Sequence, residues 1–148
     1  MALELSIHEM TIAVSDIDLA QKTFAGALQG AEDVVQHFPQ DAFELNMGGV
    51  WVGGFHIAMV NDPSGSGPVG RFLAKRGEGV YELNVRTNDL PAAIEHFKSQ
   101  GLRFINEEPK ILENYDAGHG QVLKELRVCF VDPRTTHGVL IEVAEWIF

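Results

Sequence analysis

Cysteine is almost absent from this chain of 148 residues, since Cys129 is the only one. No disulfide can form within the chain, which favours a reducing compartment, so we expect a cytoplasmic protein. Cys129 lies in the apolar run 126–131. We therefore expect a small buried side chain at this position rather than a nucleophile.

Basic residues are also scarce, with 11 Lys and Arg against 21 Asp and Glu, and the net charge is −10. Nucleic-acid binding needs a basic face, and adsorption to an anionic membrane needs basic clusters, so we expect neither partner. No apolar run approaches the roughly 18 residues of a membrane span, and the N-terminus lacks a signal-peptide pattern. A hydrophobic content of 45% is ordinary for a globular protein, and the length favours one domain.

The chain does contain an internal repeat. A shift of 73 positions places the segment that begins at Glu9 on the segment that begins at Glu82 without a gap. The identical pairs are Glu9 with Glu82, Asp16 with Asp89, Ala20 with Ala93, and Phe24 with Phe97. Because both segments also show a strand, an Asp-containing turn and an amphipathic helix, the repeat indicates a duplicated module.

Each module is predicted to contain a strand, a helix and three further short strands. In the first copy these are a strand over 7–14, a helix over 17–28 capped by Ser15 or Asp16, and strands over 32–37, 42–47 and 51–60, with Gly48 and Gly49 as a turn. In the second copy they are a strand over 80–86, a helix capped by Asn88 or Asp89, and strands over 103–106, 124–131 and 139–145.

The predicted boundaries place module one at about 1–62, a linker with a short helix at 63–78, and module two at about 79–148. The polar segment 107–120 is predicted to be a loop that serves as a lid or an interface arm.

Four stretches resemble the methylmalonyl-CoA epimerase branch of the vicinal oxygen chelate superfamily, which also contains glyoxalases and bleomycin resistance proteins. They are 8–14, 70–79, 106–109 and 138–143, and the resemblance covers almost the whole chain. It implies an α+β fold in which two βαβββ modules form a paired, curled mixed sheet around a cleft. It also implies a divalent metal such as Mg, Mn, Ca, Zn or Co, held by one side chain from each of four strands.

Three of the four implied ligand positions depart from the family pattern. Glu142 keeps the last position, whereas Glu9 and Glu82 replace two histidines, and Ala58 has no donor atom. His56 lies two residues before Ala58 and shares its face of the strand, so it is a candidate for the missing ligand.

Three carboxylates that face one cleft raise one another's pKa values and cannot all stay ionised without a partner. A hard cation could neutralise Glu9, Glu82 and Glu142, with His56 or water completing its coordination. Alternatively the site is metal-free, with one or more carboxyl groups protonated, or a substrate cation or an arginine pairs with them. A further alternative is that Glu9 and Glu82 are solvated residues on an open sheet face.

The resemblance implies an epimerase or isomerase that transfers a proton next to a carbonyl of a small substrate, with acyl-CoA as one substrate class. Glu142 and Glu82 are the candidate catalytic carboxylates, and Glu44 is a candidate proton carrier on the opposite side. Among the histidines, His8 is predicted to point away from the face of Glu9.

Three other functions stay open. One is a glyoxalase-like lyase or decarboxylase that acts on another small oxygenated substrate. Another is a metal-free binding protein with a cleft lined by Phe43, Trp51 and Phe55. The last is a structural or regulatory partner of an enzyme complex. In each case we expect a homodimer, because short edge strands and terminal aromatic residues need cover.

Overall fold

Two compact units make up the chain in a computed structural model that describes residues 1–39, 44–118 and 120–148. The N-terminal unit is Glu9–Tyr81. The C-terminal unit combines Met1–His8 with Glu82–Phe148. Whether the two units form a single domain depends on how they join, so the single domain stays a prediction.

The described residues form nine strands and three α-helices. The strands are β1 (Leu5–Ala13), β2 (Ala31–Glu32), β3 (Gln36–Pro39), β4 (Glu44–Val52), β5 (Phe55–Asn61), β6 (Gly79–Thr87), β7 (Lys110–Asp116), β8 (Val122–Val131) and β9 (Ile141–Ile147). The helices are α1 (Ile17–Leu28), α2 (Pro68–Arg76) and α3 (Leu90–Ser99). Among the described residues, no helix is long and apolar enough to cross a membrane.

Asp16 and Asp89, which the repeat aligns, begin equivalent helices. The Asp16 carboxylate accepts a hydrogen bond from the backbone N–H of Leu19, and the Asp89 carboxylate accepts one from Ala92, each at 3.0 Å. Each aspartate thereby satisfies one N–H group that the first helical turn leaves without an intrahelical partner. Both caps and the helix predicted over 17–28 are confirmed.

The two units share one strand topology. In the N-terminal unit β1 lies parallel to β5, β5 is antiparallel to β4, and β4 pairs with the short strands β2 and β3. In the C-terminal unit β6 lies parallel to β9, β9 is antiparallel to β8, and β8 is antiparallel to β7. In each unit a helix follows the first strand. The α+β class and the duplicated βαβββ module are therefore confirmed.

In each unit a helix covers one face of the strands. Helix α1 packs against a cluster that includes Ile12 and Met59, and α3 packs against one that includes Cys129 and Val143. Cys129 is fully buried, as expected of a core residue. Because side chains alternate along a strand, the intervening residues point to the opposite face. These opposite faces carry the candidate site residues.

Gly48 and Gly49 do not form the predicted turn. Both lie inside β4, and the turn falls at residues 53–54 instead. A Cβ atom at Gly49 would lie 2.5 Å from Nε2 of His56, and one at Gly48 would lie 2.7 Å from a side chain of α1. The two glycines therefore allow a close approach of neighbouring side chains rather than a reversal of the chain.

The segment 107–120 is not the predicted loop throughout. Its residues Lys110–Asp116 form β7, which pairs with β8. Most side chains of β7 are exposed, so the strand lacks the apolar alternation by which strands are predicted. The strand predicted just before this segment is reduced to a single bridge between Phe104 and Val131.

Candidate functional site

Glu9 and His56 lie side by side in the N-terminal unit, on the sheet face opposite α1. Glu9 on β1 is the register partner of His56 on β5, and His56 is in turn the partner of Trp51 on β4. The pairing of β1 with β5 thus brings two of the predicted site residues into contact.

His56 is held between two carboxylates, in what we call the Glu9–His56–Asp33 cluster. Its Nδ1 lies 2.5 Å from Oε2 of Glu9, and its Nε2 lies 2.6 Å from Oδ2 of Asp33. Trp51 stacks on the ring with 4.4 Å between the centroids. The His56 side chain is 9% exposed, against 17% for Glu9 and 26% for Asp33. A ligand would therefore reach the carboxylates of this cluster more readily than the imidazole.

Asp33 is the residue of this cluster that the sequence did not indicate. It lies between β2 and β3, where no periodicity or motif marks it. Gln21 on α1 fixes its backbone, because the Nε2 of Gln21 donates to the carbonyls of Asp33 and Gly49 at 2.9 Å each. Gln21 is only 2% exposed. A glutamine among the buried positions of α1 is the signal that could have pointed to this network, since buried amides need hydrogen-bond partners.

The two carboxylates keep His56 in its charged form. Burial alone lowers the pKa of His56, but the hydrogen bonds and negative charges of Asp33 and Glu9 outweigh burial and raise the pKa from 6.5 to about 9. At neutral pH the ring is therefore an imidazolium, and both of its nitrogens donate hydrogen bonds.

His56 does not fit the role of a metal ligand in this arrangement. A ligating histidine needs a lone pair on one ring nitrogen, and here both nitrogens face carboxylate oxygens. Within residues 1–39, 44–118 and 120–148, no group of three or more His, Cys, Asp or Glu side chains is arranged to hold a metal ion. The assignment of Glu9, Glu82 and Glu142 as ligands stays a prediction.

In the C-terminal unit, Asn84 connects the two candidate catalytic carboxylates. Asn84 on β6 is the register partner of Glu142 on β9, and Glu82 lies two residues earlier on the same face. The Nδ2 of Asn84 lies 3.2 Å from Oε1 of Glu142 and 3.3 Å from Oε1 of Glu82, so one amide donates to both. Asn84 is 2% exposed and Glu82 is 8% exposed. Neither the repeat nor the resemblance indicated Asn84.

Arg86 and Trp146 continue the same sheet face. The guanidinium carbon of Arg86 lies 4.0 Å from the centroid of the Trp146 ring. The ring of His8 meets Trp146 edge-on, with 5.5 Å between the centroids. Strand alternation predicts that His8 points away from Glu9. Its ring contacts Trp146, which lies on the same face of the C-terminal unit as Glu142.

Glu44 lies at the start of β4 with an exposed side chain. Its backbone N–H donates to the carboxylate of Asp62, and its own role as a proton carrier stays a prediction. Of the aromatic residues predicted to line a binding cleft, Trp51 stacks on His56 and Phe55 is 38% exposed. The third aromatic residue, Phe43, lies outside the described residues.

Fold and site together define a duplicated α+β protein with an acidic cluster on the sheet face opposite the helix of each unit. The model of the glyoxalase/bleomycin resistance protein/dioxygenase superfamily matches residues 8–119. Because this match covers more than half of the chain, the chain belongs to that superfamily, and the predicted resemblance is confirmed.

Two curated relatives align with the chain at similar identity. The Bacillus subtilis protein YqjC is 24% identical over 102 residues, which cover 69% of this chain and 66% of that protein. The chain thus spans just under two thirds of the length of that relative. Human mitochondrial methylmalonyl-CoA epimerase is 24% identical over 140 residues, which cover 94% of this chain and 73% of that enzyme.

Solved structures with the same fold include three that cover nearly the whole chain. A hypothetical protein from Bacillus halodurans has a TM-score of 0.78 at 24% identity, covering 96% of this chain and 94% of that one. Methylmalonyl-CoA epimerase from Mycobacterium tuberculosis has a TM-score of 0.72 at 27% identity, covering 94% and 86%. A methylmalonyl-CoA epimerase in complex with methylmalonyl-CoA has a TM-score of 0.72 at 23% identity, covering 94% and 92%.

Proposed function

We propose that this chain is an epimerase-like enzyme that removes and returns a proton next to a carbonyl group of a small acyl-CoA substrate. Membership of the superfamily and the likeness to methylmalonyl-CoA epimerases support the proposal. The observation at the site that carries it is the carboxylate pair Glu82 and Glu142, with Asn84 donating a hydrogen bond to each.

Proton transfer of this kind needs a base that removes the proton and an acid that returns it. An ionised carboxylate serves as the base and a carboxylic acid as the proton donor, so neighbouring carboxyl groups can supply both roles. When the proton leaves, the electrons of the C–H bond move into the carbonyl and form an enolate. In our proposal Glu142 is the base, Glu82 is the second carboxyl group, and Asn84 is a positioning residue that orients both.

The stereochemical outcome depends on which group returns the proton. Return from the same side gives exchange with solvent but no inversion, whereas return from the opposite side inverts the centre. Glu44, whose side chain is exposed, stays the predicted proton carrier for inversion. Inversion without Glu44 would then be slow, while exchange at the same carbon would continue.

Methylmalonyl-CoA is the first substrate to test, because relatives of this chain carry its epimerase activity in their names. The protein is incubated with the thioester in D2O, and deuterium at C2 is followed by NMR and mass spectrometry. We expect deuterium to enter faster than in an enzyme-free sample. Absence of exchange with this thioester and with a panel of other acyl-CoA thioesters and 2-oxo acids would overturn the proposal. A change of product mass beyond exchange would indicate a lyase or decarboxylase instead.

We further propose that the protein works as a homodimer in the cytoplasm. Strand β7 pairs with β8, and its residues Ile111 and Leu112 are 52% and 37% exposed. An exposed strand with apolar side chains favours cover by a second chain. Light scattering after size exclusion should give twice the chain mass of 16.3 kDa, and a single chain mass at micromolar concentration would contradict the proposal.

A further inference from the structure

Arg86 is a cation on the face of the carboxylate pair that the proposed proton transfer does not use. It lies on β6 two residues after Asn84, and its register partner on β9 is Ala144. Ala144 lies between Glu142 and Trp146 along the strand, so all these side chains share one face. Residues two apart on a strand are roughly 7 Å apart, so Arg86 lies one step further along this face than the pair Asn84 and Glu142.

The guanidinium group of Arg86 lies over the ring of Trp146 and near that of Phe148. The guanidinium carbon lies 4.0 Å from the ring centroid of Trp146 and 6.0 Å from that of Phe148. Where a guanidinium group stacks flat on an aromatic ring, its N–H donors lie in the plane of the group and can still form hydrogen bonds. The edge-on contact of His8 with Trp146 fixes the aromatic side of this stack.

Arg86 is a basic residue in a strongly acidic chain, so an ion pair with a carboxylate would be expected for it. The net charge is −10, and Glu82 and Glu142 lie on the same face. Even so, in the part of the chain that the structure describes, Arg86 takes part in no ion pair. Its charge therefore lies against an aromatic ring, on the sheet face that also carries Glu82 and Glu142.

We propose that Arg86, oriented by Trp146, binds a carboxylate group of the ligand and thereby places the adjacent carbon at Glu142. This inference rests on the proposed function and deepens it, because it assigns Arg86 as the residue that holds the carboxylate of the substrate. The planar fork of a guanidinium matches the two oxygens of a carboxylate. A stacked arginine is also already oriented, so it loses less rotational freedom when it binds.

Malonate is the probe, with malonamide as its uncharged counterpart and inorganic phosphate as a second anion. The chain has two tryptophans, so a Trp51→Phe background leaves Trp146 as the only tryptophan reporter. In that background we expect malonate to change the fluorescence of Trp146 in a saturable way, and malonamide to have no effect. Arg86→Gln should weaken malonate binding by about tenfold or more. Arg86→Lys should give an intermediate loss, because the charge stays and the fork is lost.

The matched control is Arg103→Gln, which removes the same charge from an exposed residue of the same unit and should leave malonate affinity unchanged. Equal affinity in Arg86→Gln would overturn the inference, and so would equal binding of malonamide or tighter binding of phosphate. If Arg86→Gln does not fold, the wild-type comparison of malonate with malonamide and the Arg86→Lys variant still decide. Binding needs no turnover, so malonate that binds through Arg86 without any deuterium exchange would overturn the proposed function alone.

Discussion

His56 directs both of its ring nitrogens at carboxylates, those of Glu9 on β1 and Asp33 between β2 and β3. The contact with Glu9 follows from residues that the sequence identifies, because strand alternation fixes which residues share a face. The contact with Asp33 does not, since hydrogen bonds from Gln21 on a separate helix set the position of that segment. In the structure the ring is a cation held between two carboxylates, and its role as a metal ligand stays a prediction.

The pH dependence of stability tests this account of His56. The folded pKa is about 9, above the 6.5 of the unfolded chain, so the folded state keeps a proton that the unfolded state has lost. The stabilisation is therefore complete below about pH 6.5 and disappears as the pH rises through about 9. A shift of this size corresponds to a free energy on the order of 3 kcal/mol. Urea unfolding at a series of pH values should show this decline in the wild type and not in His56→Gln.

The matched control is His96→Gln, which replaces an exposed histidine on α3. It should keep the decline of the wild type. If His56→Gln showed the same decline as the wild type between pH 6.5 and 9, the clamped imidazolium would be ruled out.

Metal addition gives an independent test of the same residue. With both ring nitrogens engaged by carboxylates, His56 should not coordinate Zn²⁺, so its ring ¹⁵N chemical shifts should stay unchanged when Zn²⁺ is added at neutral pH. Elemental analysis of the purified protein shows separately whether Glu9, Glu82 and Glu142 hold an ion. A large shift of one His56 nitrogen on metal addition would restore its predicted role as a ligand.

At the scale of elements, local signals located helices better than strands. The helix over 17–28 has an aspartate cap and an apolar face, and both signals act within a few residues of each other. Gly48 and Gly49 resemble a turn in sequence, but the packing of α1 and His56 against β4 requires them inside a strand. Strand β7 has mostly exposed side chains. Strand β7 forms because it pairs with β8, and this pairing cannot be predicted from the residues of the strand alone.

Substitution of Gly49 tests the packing reason for the strand glycines. The Cβ atom of Gly49→Ala would lie 2.5 Å from Nε2 of His56 and 2.7 Å from the carbonyl oxygen of Ile57. We expect a loss of about 1–3 kcal/mol in the free energy of unfolding, the usual cost of overpacking. Gly26→Ala is the matched control, because nothing lies within 4 Å of the new Cβ atom. It should stabilise α1 by up to about 1 kcal/mol. A Gly49→Ala protein as stable as the wild type would contradict this packing account.

At the scale of the molecule, the repeat and the family resemblance were sufficient to predict the fold. Two βαβββ units with one topology follow from a duplicated sequence, and solved structures share the fold over nearly the whole chain. The chemistry could not be predicted in the same way. Glu9 and Glu82 replace the two histidines that the resemblance implies. Only the structure shows that His56 contacts both Glu9 and Asp33 and that Asn84 donates to Glu82.

Glu82 and Glu142 are the residues proposed to move the proton, and the rate of deuterium exchange at C2 of the substrate in D2O tests this role directly. Glutamine keeps the size of each side chain and removes its ability to carry a proton. We expect Glu142→Gln and Glu82→Gln each to slow exchange by about 100-fold or more, while Glu113→Gln on the exposed strand β7 keeps the wild-type rate. Exchange at the wild-type rate in Glu142→Gln would contradict the account.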